Sequence, residues 1–345
     1  MREGFRLADR LQKINPSSTL AITAKAKKLK AEGHDLVNLA AGEPDFDTPD
    51  FIKKAAIHAI ESGFTKYTPT SGTPELKELI VNKFKKDNGL EYEPGQIVVS
   101  CGAKHSIFNA LMCLIGRGDE VLIPSPYWVS YPEMVNLCEG KPLFIKTKIE
   151  NDFKITVKDL EENITPKTKL LVLNTPSNPT GCVYSKEELE PIAGVCVKKG
   201  IYIISDEIYE KLIYDERKHI SIASLGKDVS GLTVTVNGLS KSYSMTGWRI
   251  GYLGARSEIA EAVSRLQDHS TSCPSSISQK AGCAALGARD DFSKEIRTEF
   301  QKRRDYCVFR LKSLKRIGFS IPGGAFYIFC DISQTGLDSQ GFAKK

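Results

Sequence analysis

No pair of cysteines in this chain has the Cys-x-x-Cys spacing, and none stands at the distance from a histidine that a zinc site uses. The nine cysteines, an odd number, are scattered from Cys101 to Cys330, which argues against a disulfide scaffold and for reduced thiols. No apolar run approaches a membrane span, so no membrane partner is expected. Basic blocks are missing as well: 48 Lys and Arg against 42 Asp and Glu leave a formal charge of +6 spread along the chain, which implies no nucleic-acid partner. The first ten residues lack the apolar core of a secretory signal, and Glu3 and Asp9 argue against a transit peptide, so a cytoplasmic protein is expected. Internal repeats, low-complexity tracts and Gly/Ser linkers are absent, and composition therefore announces no domain boundary. What is present is a 345-residue chain, 41% apolar and 26% charged, long enough for one large domain and a smaller one.

Residues 232–251 organise the rest. Thr233 to Val236 carry the side chains of a strand, Gly238 permits a turn, and a hydroxyl-rich segment follows around Lys241, with Arg249 eight residues on. Burial and a neighbouring cation both disfavour an ammonium, so Lys241 is a candidate Schiff-base nucleophile; the alternative is a solvated loop lysine. The order Gly-Leu-Ser-Lys, two residues, Ser-Met-Thr-Gly-Trp-Arg-Ile-Gly resembles the pyridoxal-phosphate attachment signature of class I aminotransferases.

Along the chain, periodicity and caps predict helices over 17–32, 49–62, 74–88 and 103–115, and later over 257–286 and 292–316. Strand signals recur at 96–100, 120–123, 142–146, 169–173, 201–205 and 233–236, with helical stretches between most of them. This alternation predicts an α/β fold, a mostly parallel, doubly wound sheet covered on both faces. Residues 321–331 read as a turn and a strand without visible partners, and the sequence stops fourteen residues later, so a smaller α+β domain is expected to be C-terminally incomplete. The expected division is 1–45 in the small domain, 46–290 in the large domain, and 291–345 as the start of the C-terminal part of the small one.

In open parallel sheets, ligands bind beyond the carboxyl ends of the strands. Four such ends carry chemistry. Ser100 leads to Gly102, Ala103 and Lys104 at a helix start, where backbone N–H groups can hold a phosphate or merely make a turn. Leu173 leads to Asn178-Pro-Thr-Gly181, a hydrogen-bonding amide or an ordinary turn. Ser205 leads to Asp206 and Tyr209; a carboxylate at a buried strand end requires donors or a cation, either a protonated pyridine nitrogen or an arginine. The fourth leads to Lys241 and Arg249. An amine, an anion, hydrogen-bond donors and a cationic phosphate cradle are the set that pyridoxal phosphate requires.

Further motifs extend the likeness over nearly the whole chain: Ala-Gly-Glu-Pro-Asp-Phe-Asp-Thr-Pro at 41–49, Tyr-Trp-Val-Ser-Tyr-Pro at 127–132, Asn-Pro-Thr-Gly at 178–181 and Ser-Asp-Glu-Ile-Tyr at 205–209. The chain resembles the class I aminotransferases of fold type I, and within them the bacterial aspartate aminotransferase subgroup. The resemblance implies that Lys241 attaches pyridoxal 5'-phosphate and moves the substrate proton, that Asp206 holds the ring nitrogen protonated, and that Asn178 and Tyr209 bond the ring oxygen. It implies Trp128 stacked on the ring, and Gly102, Ala103, Lys104, Arg249 and Ser240 around the phosphate. Tyr67 matches a tyrosine that reaches a neighbouring subunit's phosphate, which implies a homodimer with shared sites. Gly42 and Asn178 match contacts to the substrate α-carboxylate, Lys104 matches a contact to the distal carboxylate, and Thr19 assists it; Trp128 belongs to the same pocket. No metal is implied.

Two departures stand out. Gly238 occupies a position where the family often has serine, and no residue matches the family's α-carboxylate arginine. The expected activity is exchange of an amino group between L-aspartate and 2-oxoglutarate, an amino acid and a 2-oxo acid. Prephenate transamination, carbon–sulfur lysis on the same cofactor and a non-catalytic aminotransferase fold stand as rivals.

Overall fold

A computed structural model describes residues 8–16, 18–39, 42–289 and 291–344. Seven strands form its main sheet among the described residues: β1 (Ile97–Ser100), β2 (Glu120–Ser125), β3 (Lys141–Lys146), β4 (Thr168–Asn174), β5 (Tyr202–Asp206), β6 (Thr233–Gly238) and β7 (Gly251–Gly254), in the spatial order β1-β7-β6-β5-β4-β2-β3. Pairing is parallel from β3 to β6, while β7 runs antiparallel to both β6 and β1. β1 to β6 therefore all point their carboxyl ends at one edge of the sheet.

The strand interiors show why this sheet is covered on both faces. Every residue of β1 and β6 is buried. Leu170, Val172, Ile204, Val234 and Val236 pack on one side with Ile107 and Leu111 of helix Ala103–Leu114 and Val263 of helix Ser257–Asp268. Their alternating neighbours Leu171, Leu173 and Ile203 pack on the other with Leu189, Ile192 and Cys196 of helix Lys186–Lys199. The two-residue period of a strand assigns these layers.

Three features depart from the sequence reading. β7 is not among the expected strands: it is four residues long and begins and ends in glycine. Those glycines answer close approach, since a Cβ at Gly251 would collide with the backbone of Gly102 and Ala103, and one at Gly254 would meet the Tyr92 ring at 2.6 Å. The expected helix over 257–286 is two helices, Ser257–Asp268 and Ser276–Gly287, separated by a segment containing Pro274. The expected strand within 321–331 contracts to β9 (Cys330–Asp331), paired with β8 (Gly318–Phe319) in a separate two-stranded ribbon. The turn ahead of β9 is joined to the segment that follows β5, with Gly324 bridged to Ile213. Helix Asp291–Leu311 adds Ile296 and Phe300 to a cluster with Tyr209, Leu212, Tyr214 and Ala325.

Candidate active site

The carboxyl end of β5 fixes one wall. Asp206 is 4% exposed, and its carboxylate accepts from the Tyr131 hydroxyl at 2.6 Å and the Ile208 amide at 3.3 Å. Burial pushes this carboxyl up to about 6, an effect those two donors offset only in part, with Lys241 making a smaller opposing contribution. An arginine is therefore not the answer to this carboxylate: a buried anion is held by one phenol and one amide. That leaves a demand for a cation in front of it.

Lys241 follows the end of β6, three residues beyond Gly238. Its Nζ donates to the Gly42 carbonyl at 2.5 Å and stands 5.7 Å from the Tyr209 ring and 5.6 Å from the Phe326 ring. Burial among these groups pulls its ammonium down to about 8; the Glu43 charge opposes the fall, and Arg249 reinforces it. The segment carrying Gly42 is pinned across the lysine loop: Thr48 Oγ1 donates to the Ser244 carbonyl at 2.6 Å, Trp248 Nε1 donates to Thr48 Oγ1 at 3.0 Å, and Thr246 bonds Glu43.

β1 supplies an anion cradle. Gly102 has φ +89° and caps helix Ala103–Leu114, so Ala103 and Lys104 present first-turn N–H groups that no intrahelical carbonyl receives. The Arg249 guanidinium lies over Gly102, donating to the Cys101 carbonyl at 3.1 Å and the Thr246 carbonyl at 3.0 Å. A Cβ at Gly102 would clash with that guanidinium, so glycine is required for the cation to reach the cradle. Ser240 is buried, and its carbonyl receives the Met245 amide at 3.2 Å, within the same loop as Lys241.

Aromatic side chains close the remaining sides. Trp128 meets the Tyr131 ring edge-on at 5.3 Å, and Lys104 Nζ lies 4.7 Å from the Trp128 ring. Asn178, beyond β4, receives its backbone order from Asn174, whose Oδ1 accepts the Asn178 amide at 2.7 Å and whose Nδ2 donates to the Asp206 carbonyl at 2.9 Å. Asn178 Nδ2 lies 3.4 Å from the Tyr327 hydroxyl, which is 2.6 Å from that of Tyr209.

Through these contacts the fold gathers Gly42, Asp206, Tyr209, Lys241 and Asn178 into one site, with the Gly102, Ala103, Lys104 and Arg249 cradle and Trp128 around it. Tyr67 is 91% exposed, and the side chain of Thr19 lies outside the described residues. Tyr131, Asn174 and Tyr327 were not anticipated. The first sits inside the 127–132 motif and the last inside the Ala-Phe-Tyr run, where an aromatic residue reads as core; only its hydroxyl distinguishes it from that role. A cavity of about 320 Å³ lined by Asp215, Arg217 and Arg297 contains none of the converging groups, so chemistry rather than volume locates the site.

The donor set fits pyridoxal phosphate. The under-compensated Asp206 calls for a protonated ring nitrogen, the cradle calls for a dianion, and the depressed Lys241 is the amine an aldehyde requires.

Comparison with known proteins points the same way. The family described as Aminotransferase class I and II matches residues 34–345. The chain is 48% identical over 337 residues to an aspartate aminotransferase of Bacillus sp. (strain YM-2), covering 98% of this chain and 86% of that one. It is 48% identical over 335 residues to a probable aspartate/prephenate aminotransferase of Aquifex aeolicus (strain VF5), covering 96% and 84%. The crystal structure of the aspartate aminotransferase from Rhizobium meliloti superposes with a TM-score of 0.92 at 45% identity, over 96% of this chain and 83% of that one.

Proposed function

The chain belongs to the class I and II aminotransferases, and we propose that it exchanges an amino group between L-aspartate and 2-oxoglutarate. The observation that carries the chemistry is the placement at one sheet edge of the Lys241 amine, on the Gly42 carbonyl and 5.7 Å from the Tyr209 ring, with the buried Asp206 carboxylate that Tyr131 holds. When bound, pyridoxal phosphate supplies an aldehyde that accepts the amino group and a protonated ring that takes up electron density released at the substrate Cα.

Each residue then has a task set by its surroundings. Lys241 would hold the cofactor through its amine and would take and return the substrate proton at Cα. Asp206, held in place by Tyr131, would keep the proton on the cofactor's ring nitrogen. Tyr209 and Asn178 would supply hydrogen bonds to its ring oxygen, and Trp128 would pack against its ring. The Gly102, Ala103 and Lys104 backbone, Arg249 and Ser240 would hold the phosphate. Gly42 and Asn178 receive the α-carboxylate, while the Lys104 ammonium beside Trp128 meets the distal carboxylate, with Thr19 assisting. A second dicarboxylate, prephenate, suits the same Lys104, and the likeness to an aspartate/prephenate relative favours keeping it as a second reading.

The exposure of Tyr67 suits a role in a neighbouring subunit's phosphate site, which makes the working form a homodimer with shared sites. In this reading residues 46–290 form the large cofactor-binding domain, and 1–45 and 291–345 are segments of a smaller one. Nine free thiols suit a reducing cytoplasm; no helix among the described residues is long and apolar enough to cross a membrane.

The test is oxaloacetate formation from L-aspartate and 2-oxoglutarate by the cofactor-loaded protein, compared with amination of prephenate. Faster oxaloacetate formation is expected. Faster prephenate turnover would exchange the two readings, and pyruvate and ammonia released from cysteine without an oxo-acid acceptor would replace both with a lyase.

A further inference from the structure

We infer that Tyr327 is a positioning residue that holds the Tyr209 hydroxyl in place at the site. This rests on the proposed aminotransferase site, in which Tyr209 faces the cofactor's ring oxygen. Three segments converge on the Tyr327 hydroxyl: Tyr209 Oη at 2.6 Å, Asn178 Nδ2 at 3.4 Å, and Gly42, where a built Cβ would stand 2.7 Å from it. Glycine at 42 is thus what leaves room for this hydroxyl, next to the carbonyl that receives Lys241.

The backbone locates the ring as firmly as its own contacts do. The Gly323 and Gly324 amides both donate to the Gly181 carbonyl, at 2.9 and 3.0 Å, and the Ala325 amide donates to the Leu212 carbonyl at 2.8 Å. The Tyr214 amide returns a bond to the Gly323 carbonyl at 2.9 Å. Tyr327 is therefore docked on both the Asn178–Gly181 loop and the turn that carries Tyr209.

Either hydroxyl can donate across the 2.6 Å contact, and the Asn178 amide, which only donates, reaches the Tyr327 oxygen at 3.4 Å. In both directions the bond fixes the place of the Tyr209 oxygen, and hydrogen bonds joined in a chain strengthen one another. Both phenols hold their protons at neutral pH: burial raises Tyr209 well above the ordinary range and pushes Tyr327 up to about 12.

The experiment is a cycle of four cofactor-free proteins: wild type, Tyr327→Phe, Tyr209→Phe and the double variant. Each is titrated with pyridoxal phosphate, reading the dissociation constant and the pH midpoint of the visible band that depends on Lys241. Phenylalanine keeps the packing of the 327 ring on Phe326, and an unchanged melting temperature of the cofactor-free Tyr327→Phe protein checks this. Tyr327→Phe is expected to weaken binding roughly three- to tenfold and to shift the midpoint in the same direction as Tyr209→Phe, by less. The double variant is expected to match Tyr209→Phe alone, because a positioning residue acts only through the group it holds. Unchanged affinity and midpoint in Tyr327→Phe, or effects that multiply in the double variant, would overturn the positioning role while leaving the cofactor site standing. A wild-type protein that forms no lysine-dependent band would remove the cofactor site, and the positioning role with it.

Discussion

The end of β5 and the turn that follows carry carboxylates to opposite sides of the same backbone, and they are treated in opposite ways. Asp206 faces the site with one phenol and one amide for company, and its carboxyl rises to about 6. Glu207 and Glu210 face away into a network that satisfies them. Glu207 accepts from Ser205 at 2.9 Å, Ser221 at 2.6 Å and Asn88 at 3.1 Å, and pairs with His219 at 2.7 Å. Glu210 accepts from Asn88 at 2.7 Å and pairs with Lys83; burial pushes its carboxyl up, and the surrounding cations, Lys83 foremost, together more than offset this and hold it below its usual range. All three are buried, so burial alone does not distinguish function from structure. The distinction lies in compensation: a buried charge with its partners in place supports the fold, and one left short of partners marks where a ligand belongs.

The strongest way to break this comparison acts on the ligand side. Lys241→Ala should lower transamination by at least about three orders of magnitude, since both the amine and its proton transfer are lost; steady-state rates check it, and a variant retaining full rate would end the mechanism. On the compensated side, Lys83→Ala leaves the Glu210 carboxylate buried without its cation and should cost about 3–5 kcal/mol of stability, read from denaturant unfolding. A loss below about 1 kcal/mol would show that the network is not the support assigned to it.

Asp206→Asn sharpens the contrast because its two effects have opposite signs. Activity should fall by about two orders of magnitude or more, while the cofactor-free fold gains stability at pH 7. The carboxyl stands at about 6 when folded against an ordinary 3.8, so the folded state binds the proton more tightly than the unfolded chain does. That contribution is fully present below the ordinary value and is lost as pH rises from about 3.8 to about 6, up to about 3 kcal/mol in all. The variant should therefore match wild type near pH 4 and exceed it above pH 6 in thermal or denaturant unfolding. Equal stability at both pH values would contradict the uncompensated charge. The smallest effect belongs to an exposed pair: Arg303 bonds Asp45 at 2.7 Å and Glu299 at 3.0 Å, yet Arg303→Ala should cost less than about 1 kcal/mol in the same unfolding measurement.

Much of this arrangement was legible in the residues. The β-branched and apolar runs locate six of the seven main-sheet strands, and the rule that ligands sit beyond parallel strand ends brings Gly102, Asn178, Asp206 and Lys241 together from sequence alone. β7 escaped because the glycines that let it pass Ala103 and Tyr92 are the residues that weaken a strand signal. Tyr131 and Tyr327 escaped for a different reason. Their rings satisfy the core pattern, and their hydroxyls acquire meaning only from Asp206 and Tyr209, which lie 75 and 118 residues away in sequence. The partners of Glu207 were equally hidden, since Asn88 comes from 119 residues away and His219 and Ser221 from the segment that follows the turn. Local pattern predicts elements and their ends; long-range polar pairing is fixed by the packing of those elements.

The measurement that bears most directly on the whole account is the visible absorption spectrum of the purified chain with pyridoxal phosphate, before and after L-aspartate, with Lys241→Ala alongside. A band that requires Lys241 and is converted by L-aspartate to the spectrum of the aminated cofactor is the predicted result. A chain that forms no lysine-dependent band, or that forms the same band in Lys241→Ala, would contradict it.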